Sequence, residues 1–306
     1  VSEGGIRLSA PVRRVGLCMP QLRQGAAVRR QPRSLSFQLR SYTVDTWEDA
    51  EAYERYMGRW SRKIAREFVR WLRPPSGARW LDVGCGTGAL SEAIVQIAAP
   101  SYLVGVDPSP GLLEHARKSL HAPMVTFELA SAEDLPFEDG TFDVAVSGLV
   151  INLLAAPLQG VREMARVVSK GGLVGLYVWD YAEGMQFLRY FWDAARTVDP
   201  SARELDEAVR FPVCDPVALQ ELLRGAHLQE LLVDSLEIET TFSSFDDYWQ
   251  PFLGGQGPAP GYVRSLEAGI REELRLRLLN TLPIAADGTI PLRARAWCAR
   301  GLVQAS

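Results

Sequence analysis

Apolar residues in this chain follow two periods in alternation. Short runs rich in valine, leucine and isoleucine predict strands that are buried on both faces, and the stretches between them, with apolar residues three or four positions apart, predict amphipathic helices. The predicted strands are Trp80–Val83, Tyr102–Val106, Met124–Leu129, Phe142–Ser147, Leu173–Trp179, Leu231–Phe242 and Ala294–Val303. Because strands and helices alternate, the pattern predicts an α/β fold with a doubly wound, mostly parallel sheet.

The helical stretches and the prolines divide the chain into regions. Residues 46–72 have helical periodicity, and Pro74-Pro75 ends that helix. We expect one folded domain over residues 46–306. Its parts are a core at about 76–180, a helical insertion with the length of a lid at about 183–227, and C-terminal strands and helices at 229–306.

Residues 1–43 differ in composition from the rest of the chain. They contain eight arginines, no lysine and a single acidic residue, Glu3, although the whole chain has a net charge of −4 at pH 7. Arginine-rich, acid-poor sequence without periodicity is typical of a disordered basic tail or extension, of an organelle transit peptide, or of an arm that touches nucleic acid. The composition is compatible with all three interpretations.

The overall composition excludes several classes of protein. No apolar run approaches the roughly 20 residues that a membrane-spanning helix needs. The four cysteines lie far apart without a C-x-x-C pair, so we expect neither a disulfide framework nor a zinc ribbon. The three histidines match no metal-ligand spacing, and no metal site is expected. A reducing compartment follows, by default the cytoplasm, with organelle import through residues 1–43 as the exception.

The clearest chemical signal is the segment LDVGCGTGALS, which lies between the first predicted strand and the next helix. Glycine at positions 84, 86 and 88 permits positive φ and a close approach of the backbone to a ligand, and the helix N-terminus that follows attracts an anion. Asp107 ends the next strand at the same sheet edge, where a carboxylate can accept hydrogen bonds from two ribose hydroxyls. Loop and acid together predict a nucleoside-binding crevice.

The spacing of the glycines narrows the choice of ligand. A dinucleotide-binding loop has the spacing G-x-G-x-x-G, whereas this loop has G-x-G-x-G preceded by Asp82. It resembles motif I of the class I S-adenosylmethionine-dependent methyltransferases, and the resemblance extends over about residues 53–180. Ala130–Phe137 resembles the family's G-x-A-E-x-L-P-F segment, Phe142–Ser147 its F-D-x-V strand, and Glu163–Gly172 its E-x-x-R-V-L-x-P-G-G turn, with Ala130 and Lys170 replacing the family's Gly and Pro.

The resemblance implies a fold, a cofactor and a site. The fold would be the Rossmann-like methyltransferase fold with a seven-stranded sheet whose final strand is antiparallel. The cofactor would be S-adenosyl-L-methionine. The enzyme would be of the small-molecule, ubiquinone-biosynthesis-like methyltransferase type. The cofactor-binding residues that it implies are Asp82, Gly84, Gly86, Thr87, Gly88, Asp107, Ala132, Glu133 and Ser147.

Residues for the methyl acceptor are expected from their positions. Tyr56 and Trp60 lie in an aromatic N-terminal helix, which in ubiquinone-biosynthesis-like methyltransferases often folds over the cofactor, although ordinary helix packing explains them equally well. Trp179 follows the fifth strand at the same edge as the glycine loop, so it is expected to contact the substrate. Asp180 and Tyr181 follow it and are the candidate catalytic residues if the acceptor must lose a proton.

The expected reaction is in-line transfer of the sulfonium methyl group to an O, N, C or S atom of a small molecule, with alignment as the protein's main contribution. The alternatives are a nucleic-acid or protein methyltransferase, a non-catalytic S-adenosylmethionine-binding protein, an NAD-dependent oxidoreductase and an aminopropyltransferase. The acidic residues 46–306 and the sequence Ser147-Gly148-Leu149-Val150, which lacks the Asn/Asp-Pro-Pro-Tyr/Phe motif, disfavour a nucleic-acid partner. The acceptor and the oligomeric state stay open.

Overall fold

The computed structural model describes residues 54–254 and 257–305. The strands are β1 (Arg79–Val83), β2 (Tyr102–Asp107), β3 (Val125–Leu129), β4 (Phe142–Gly148), β5 (Val168–Trp179), β6 (Gln229–Glu239) and β7 (Arg293–Leu302). The α-helices are α1 (Arg59–Leu72), α2 (Ala89–Ala98), α3 (Pro110–Ser119), α4 (Pro157–Val167), α5 (Gln186–Val198), α6 (Glu207–Arg210), α7 (Pro216–Gly225), α8 (Phe245–Leu253), α9 (Pro258–Ser265) and α10 (Ala268–Thr281). The expectations for residues 1–43, and for the predicted helix at 46–53, lie outside the described residues.

All seven strands form one sheet in the order β3-β2-β1-β4-β5-β7-β6. Strands β1 to β5 pair in parallel, and β7 lies antiparallel between β5 and β6. This topology confirms the predicted doubly wound sheet with a final antiparallel strand. The strand order reverses between β1 and β4, and in open α/β sheets ligands bind at such a switch point, beyond the carboxyl ends of the strands.

Strand β5 begins earlier than the sequence predicted. The prediction placed a turn at 170–172 and the strand from Leu173, whereas β5 begins at Val168 and contains Gly171 with a φ of +76°. The Gly171 N–H donates to the carbonyl of Val303 at 2.9 Å, and the register between β4 and β5 shifts over this stretch. The segment is an irregularity within the strand because the end of β7 provides a hydrogen-bond partner that the local sequence does not reveal.

Helices cover both faces of the sheet. On one face, Ile64, Phe68 and Leu72 of α1 are fully buried at the predicted four-residue spacing. On the other face, apolar side chains of α4 and α7 form a second buried cluster. The Phe68 ring lies 4.6 Å from that of Tyr177, near the end of β5. The first helix is therefore anchored against the strand that leads to the carboxyl edge.

The segment between β5 and β6, predicted as a helical insertion, consists of α5, a 3-10 helix at Pro200–Leu205, α6 and α7. Phe191 of α5 stacks on Phe252 of α8 with ring centroids 4.3 Å apart. Arg189 of α5 binds the carboxylate of Asp206, whose Oδ1 also accepts the Ala208 N–H at 2.9 Å and caps α6. Aromatic stacking and a buried ion pair thus hold the short helix α6 in a defined place.

Candidate functional site

A cavity of about 800 Å³ lies beyond the carboxyl ends of β1, β2, β4 and β5. The loops after these strands form part of its wall, and Tyr56 and Met57, which precede α1, form another part. The insertion contributes Leu188, Glu207 and Phe211. The wall is mainly apolar, and the acidic side chains among its described residues are Asp107 and Glu207. A volume of this size accommodates a nucleoside together with a second small molecule.

The glycine loop has the backbone conformation that its composition predicts. Gly84, Gly86 and Gly88 have φ values of +74°, +53° and +89°, a region that other L-residues enter only with strain. A Cβ atom at Gly84 would lie 2.5 Å from the side chain of Val150, and the Gly84 N–H donates to the Val106 carbonyl at 2.8 Å. The loop is therefore fixed to β2 and presents its backbone to the cavity.

Asp107 is held in place by two backbone N–H groups. Its Oδ2 accepts the Gly86 N–H at 3.0 Å, and its Oδ1 accepts the Ser109 N–H at 2.9 Å. Burial raises the pKa of Asp107, and the two N–H donors oppose that rise. Each oxygen has a second lone pair, so a carboxylate fixed in this way can also accept two hydroxyl donors from a ligand in the cavity.

Asp82 and Ser147 are fully buried and do not line the cavity. The Oδ2 atom of Asp82 accepts the Ser91 hydroxyl at 2.6 Å, and Oδ1 has no hydrogen-bond partner among the described residues. Burial raises the pKa of Asp82 to about 7. The Ser147 hydroxyl donates to the Val83 carbonyl at 2.9 Å and joins β4 to β1. Asp82 lies on β1, from which the glycine loop emerges, and Ser147 lies on the neighbouring strand β4.

Of the other residues predicted to bind the cofactor, some line the cavity and others do not. Thr87 and Ala132 line the cavity, and Gly88 precedes the first turn of α2. Glu133 does not line the cavity, and its Oε1 accepts the Ala156 N–H at 2.6 Å immediately before α4. The carboxylate of Glu133 therefore binds the backbone at the start of a helix.

Of the residues predicted to contact the methyl acceptor, some also line the cavity and others do not. Tyr56, Trp179 and Tyr181 line the cavity. Trp60 is buried away from it, with its ring 5.4 Å from that of Phe242 in an edge-on arrangement. Tyr56 and Trp60 are four residues apart, but only the side chain of Tyr56 reaches the cavity.

Asp180 borders a different cleft, together with Cys214 and Arg295. Its Oδ2 accepts the Arg295 Nε–H at 2.7 Å, and its Oδ1 accepts the Glu183 N–H at 3.2 Å. Asp180 and Tyr181 follow the end of β5, where a turn begins, and Trp179 and Tyr181 line the cavity while the Asp180 carboxylate is directed at Arg295. Tyr181 also borders the second cleft. The structure thus brings Tyr181, but not Asp180, to the predicted site.

Several lining residues have no signal in the sequence. Leu149 has a φ of +63°, and its N–H donates to the Tyr177 carbonyl at 2.8 Å, so a non-glycine residue holds a strained turn at the mouth of β4. Leu188, Glu207 and Phe211 reach the cavity from the insertion, whose sequence shows only helical periodicity. Nothing short of the tertiary structure assigns them to the site.

Glu207 and its neighbour Asp206 are both buried, but their surroundings differ. Asp206 pairs with two guanidinium groups, those of Arg189 and Arg196. Glu207 accepts the indole N–H of Trp192 and lines the cavity. Burial raises the pKa of Glu207 to about 7, with a smaller contribution from the charge of Asp206. One carboxylate is therefore neutralised inside the protein, and the other faces the ligand space.

The described residues hold neither a cluster of metal-ligating side chains nor a membrane-spanning helix. They contain no group of three His, Cys, Asp or Glu side chains arranged to hold a metal ion. None of their helices is both long and apolar enough to cross a bilayer.

Comparison with known sequences identifies the domain around the glycine loop. Residues 81–176 match the model of a family described as a methyltransferase domain. A demethylmenaquinone methyltransferase from Symbiobacterium thermophilum is 38% identical over 120 residues, which cover 38% of this chain and 47% of that protein. The ubiquinone/menaquinone biosynthesis C-methyltransferase UbiE from Geobacter sp. is 34% identical over 118 residues, which cover 37% of this chain and 50% of that protein. The chain thus spans about half the length of the curated relatives it matches.

Comparison with solved structures supports the fold. The YcgJ protein from Bacillus subtilis has a TM-score of 0.50 at 19% identity, with 80% of this chain and 99% of that chain covered. Phosphoethanolamine N-methyltransferase 2 from Haemonchus contortus, solved with S-adenosylhomocysteine, has a TM-score of 0.53 at 16% identity, with 83% of this chain and 57% of that chain covered. At these identities the likeness establishes the architecture alone.

Replacing two glycines of the loop should have unequal effects. Gly84→Ala places a Cβ atom against Val150 in addition to the positive-φ strain, whereas a Cβ at Gly86 meets nothing within 4 Å. We expect Gly86→Ala to lower the free energy of unfolding by about 1–2 kcal/mol from backbone strain, and Gly84→Ala by about 2–5 kcal/mol from strain plus overpacking. Urea denaturation at pH 7 measures both values. Equal losses would contradict the close contact between Gly84 and Val150.

The ionisation of Glu207 should make stability depend on pH. The pKa of its carboxyl is about 7 in the folded protein against 4.5 as the ordinary value, so the folded state holds a proton that the unfolded chain releases. The stabilising effect of that proton is complete below pH 4.5 and is lost as the pH rises through 7. Glu207→Gln cannot ionise and keeps an acceptor for Trp192. Its free energy of unfolding should match the wild type at pH 4.5 and exceed it by about 3 kcal/mol at pH 8.

Urea denaturation of both proteins across this pH range tests the expectation. Glu204→Gln is the matched control, since Glu204 is an exposed residue of the preceding 3-10 helix. Asp82 also titrates near 7, but it is present in every variant and cancels in the difference. A Glu207→Gln difference that is the same at every pH would show that Glu207 ionises normally.

Proposed function

We propose that this chain, whose domain at residues 81–176 belongs to the class I S-adenosylmethionine-dependent methyltransferases, transfers a methyl group to a small apolar acceptor. The observation that carries the proposal is the arrangement at one edge of the sheet. A glycine loop with positive φ and a backbone-fixed carboxylate border a single cavity whose remaining wall is mainly apolar. Cofactor and acceptor can therefore occupy adjacent parts of one enclosed space.

The residues present fit S-adenosyl-L-methionine as the cofactor. Asp107 would accept the two ribose hydroxyls, because its oxygens are fixed by Gly86 and Ser109 and retain lone pairs toward the cavity. The loop at Gly84 and Gly86 lets the backbone approach the ligand without a side chain between them. Thr87 and Ala132 line the same region and would border the nucleoside. We keep Asp82, Gly88, Glu133 and Ser147 as proposed contributors that act through the loop and the strands beneath it.

The chemistry needs little beyond alignment. The bound cofactor supplies an activated methyl group on a positively charged sulfur. The chain would hold the acceptor nucleophile in line with that methyl group and keep water away, and such alignment is worth up to roughly 7–11 kcal/mol of the barrier. Tyr56, in the short helical segment Glu54–Gly58 before α1, and Leu188, in the insertion, line the cavity and would close it over the reactants.

The acceptor side is proposed from the lining residues. Trp179 and Tyr181 would contact the acceptor, and Tyr181 is supported by Phe211, whose ring centroid lies 5.7 Å away. Asp180 would act as a positioning residue, because its bonds to Arg295 and to the Glu183 N–H fix the turn that presents Tyr181. Trp60 would act in the same indirect way, by holding the helical segment that carries Tyr56.

Two of the relatives are named for quinone substrates or quinone biosynthesis, and their likeness covers less than two fifths of this chain. From these relatives we infer that the methyl acceptor is a small molecule, and we infer no particular compound. A nucleic-acid partner is disfavoured, because the described lining residues include two carboxylic acids and neither lysine nor arginine. We propose a reducing compartment such as the cytoplasm, which is supported by the buried free thiols of Cys85, Cys214 and Cys298.

Binding of S-adenosylhomocysteine to the full chain tests the proposal. Calorimetric titration should give micromolar affinity, and Asp107→Ala should weaken it at least about 100-fold, because two hydrogen bonds to a charged group are lost. The matched control is Asp139→Ala, since the Asp139 side chain is 81% exposed and pairs with Arg166 at the surface.

NAD serves as the second ligand, because an oxidoreductase would share the loop and the acid. No affinity for S-adenosylhomocysteine, or preferential binding of NAD, would overturn the proposed function. Equal losses in Asp107→Ala and Asp139→Ala would mean that the crevice at Asp107 is not the binding site.

A further inference from the structure

Glu207 is a buried carboxylate that the proposed binding of the cofactor leaves without a role. Its side chain is 2% exposed, yet it borders the cavity that the glycine loop borders. Its hydrogen-bond donors are its own backbone N–H and the indole N–H of Trp192, both neutral groups. A carboxylate enclosed in an apolar wall is unfavourable unless a further donor reaches it. A ligand in the cavity is in a position to provide that donor.

The preceding residue shows that the fold can neutralise a carboxylate at this place. Asp206 is also buried, but the guanidinium groups of Arg189 and Arg196 lie against it. Those two guanidinium groups pair with Asp206, and Glu207 borders the cavity instead. Two adjacent buried acids thus have different surroundings, because Asp206 pairs with cations inside the protein whereas Glu207 borders the cavity.

The surroundings of Glu207 indicate what kind of group it meets. Phe211 lies one turn further along, and its ring packs beside Tyr181 at 5.7 Å. Trp179 and Leu188 complete an apolar, ring-lined part of the cavity. An acceptor that fits there is itself apolar and ring-sized, and it has one polar group directed at the carboxylate.

We propose that Glu207 is a catalytic residue that accepts the proton of the nucleophile, and that the acceptor is an apolar ring compound whose hydroxyl or amine carries this proton. The inference rests on the proposed methyl-transfer function. The O–H or N–H bond of the acceptor breaks, and its proton passes to the Glu207 carboxylate. The electron pair of the nucleophile forms the new bond to the methyl carbon, and the electrons of the broken C–S bond stay on sulfur, which becomes neutral. Glu207 then releases the proton to solvent.

Charged and titratable groups around Glu207 set the pH at which this occurs. Burial raises the pKa of Glu207 to about 7, with a smaller rise from the charge of Asp206, and the hydrogen bonds from its own N–H and from Trp192, together with the charge of Arg189, oppose that rise. Cys214 stands near both Glu207 and Asp180, and burial keeps its thiol neutral. Arg196 lies beside Asp206, Arg210 over the ring of Phe211, and Arg203 is exposed on the 3-10 helix that packs against α6. Transfer should therefore accelerate as the pH rises through about 7.

The experiment uses the full chain as wild type, Glu207→Gln, Glu207→Leu and the matched control Glu204→Gln. Thermal unfolding first checks that each variant folds, and titration with S-adenosylhomocysteine checks the cofactor crevice. Absence of this binding in the wild type would overturn the proposed function and this inference with it. Retained binding in every variant means that later differences concern Glu207 alone.

The binding arm compares 2-naphthol with 2-methoxynaphthalene, which lacks the proton, at pH 8 with S-adenosylhomocysteine present. Wild type and Glu204→Gln should bind the naphthol at least about tenfold more tightly, because a charge-assisted hydrogen bond is available. In Glu207→Leu the preference should fall below about threefold. Equal preference in Glu207→Leu and wild type, or no naphthol binding by a wild type that binds S-adenosylhomocysteine, would overturn the inference.

The transfer arm measures single-turnover methylation of 2-naphthol and, separately, of 2-naphthylamine from methyl-labelled S-adenosylmethionine between pH 5 and 9. The two probes distinguish hydroxyl from amine as the nucleophile. Glu207→Gln should lose about 100-fold or more in rate together with the rise near pH 7, and Glu204→Gln should keep both. If Glu207→Gln keeps the rate and pH profile of Glu204→Gln, or if neither probe is methylated, Glu207 is not the proton acceptor for this class of acceptor.

Discussion

The hydrogen bond from the Gly86 N–H to the Asp107 carboxylate is the contact on which the site depends. It joins the loop after β1 to the end of β2, and it forms because parallel pairing places Val83 opposite Val106. Without that register, the acid and the loop would face different spaces. Positive φ at Gly86 directs the N–H toward the acid, and the carboxylate in turn fixes the loop. The conformation of the loop and the position of the carboxylate therefore depend on each other.

Asp82, Asp107 and Glu207 are buried carboxylates in the cavity wall or beneath it, and they differ in their hydrogen-bond donors. Asp107 has two backbone donors, Asp82 has the hydroxyl and backbone N–H of Ser91, and Glu207 has its own backbone N–H and the indole N–H of Trp192. Burial raises the pKa of all three. The number and kind of donors, rather than depth alone, distinguish an acid that fixes a loop from one that can exchange a proton with a ligand.

The core of the site was predictable because its residues are local. Gly84, Gly86, Gly88 and Asp107 stand in one strand-loop-helix-strand unit, and steric rules for glycine together with the rule for strand ends are enough to place them. The acceptor side was less predictable. The turn that follows β5 directs Asp180 toward Arg295 and Tyr181 toward the cavity, and the sequence does not state which of two neighbours faces inward.

The sequence by itself determined the α/β architecture, the positive-φ conformation of the glycine loop and the position of that loop and Asp107 at one edge of the sheet, since each follows from short-range periodicity and spacing. Only the tertiary structure decided that β7 supplies the bonds of the irregular start of β5, that Leu149 turns with positive φ, and that Glu207 meets the cavity while Asp206 meets two arginines. These outcomes depend on packing between segments distant in the chain. A residue's partners, burial and direction are set there by long-range contacts, and no local pattern encodes them.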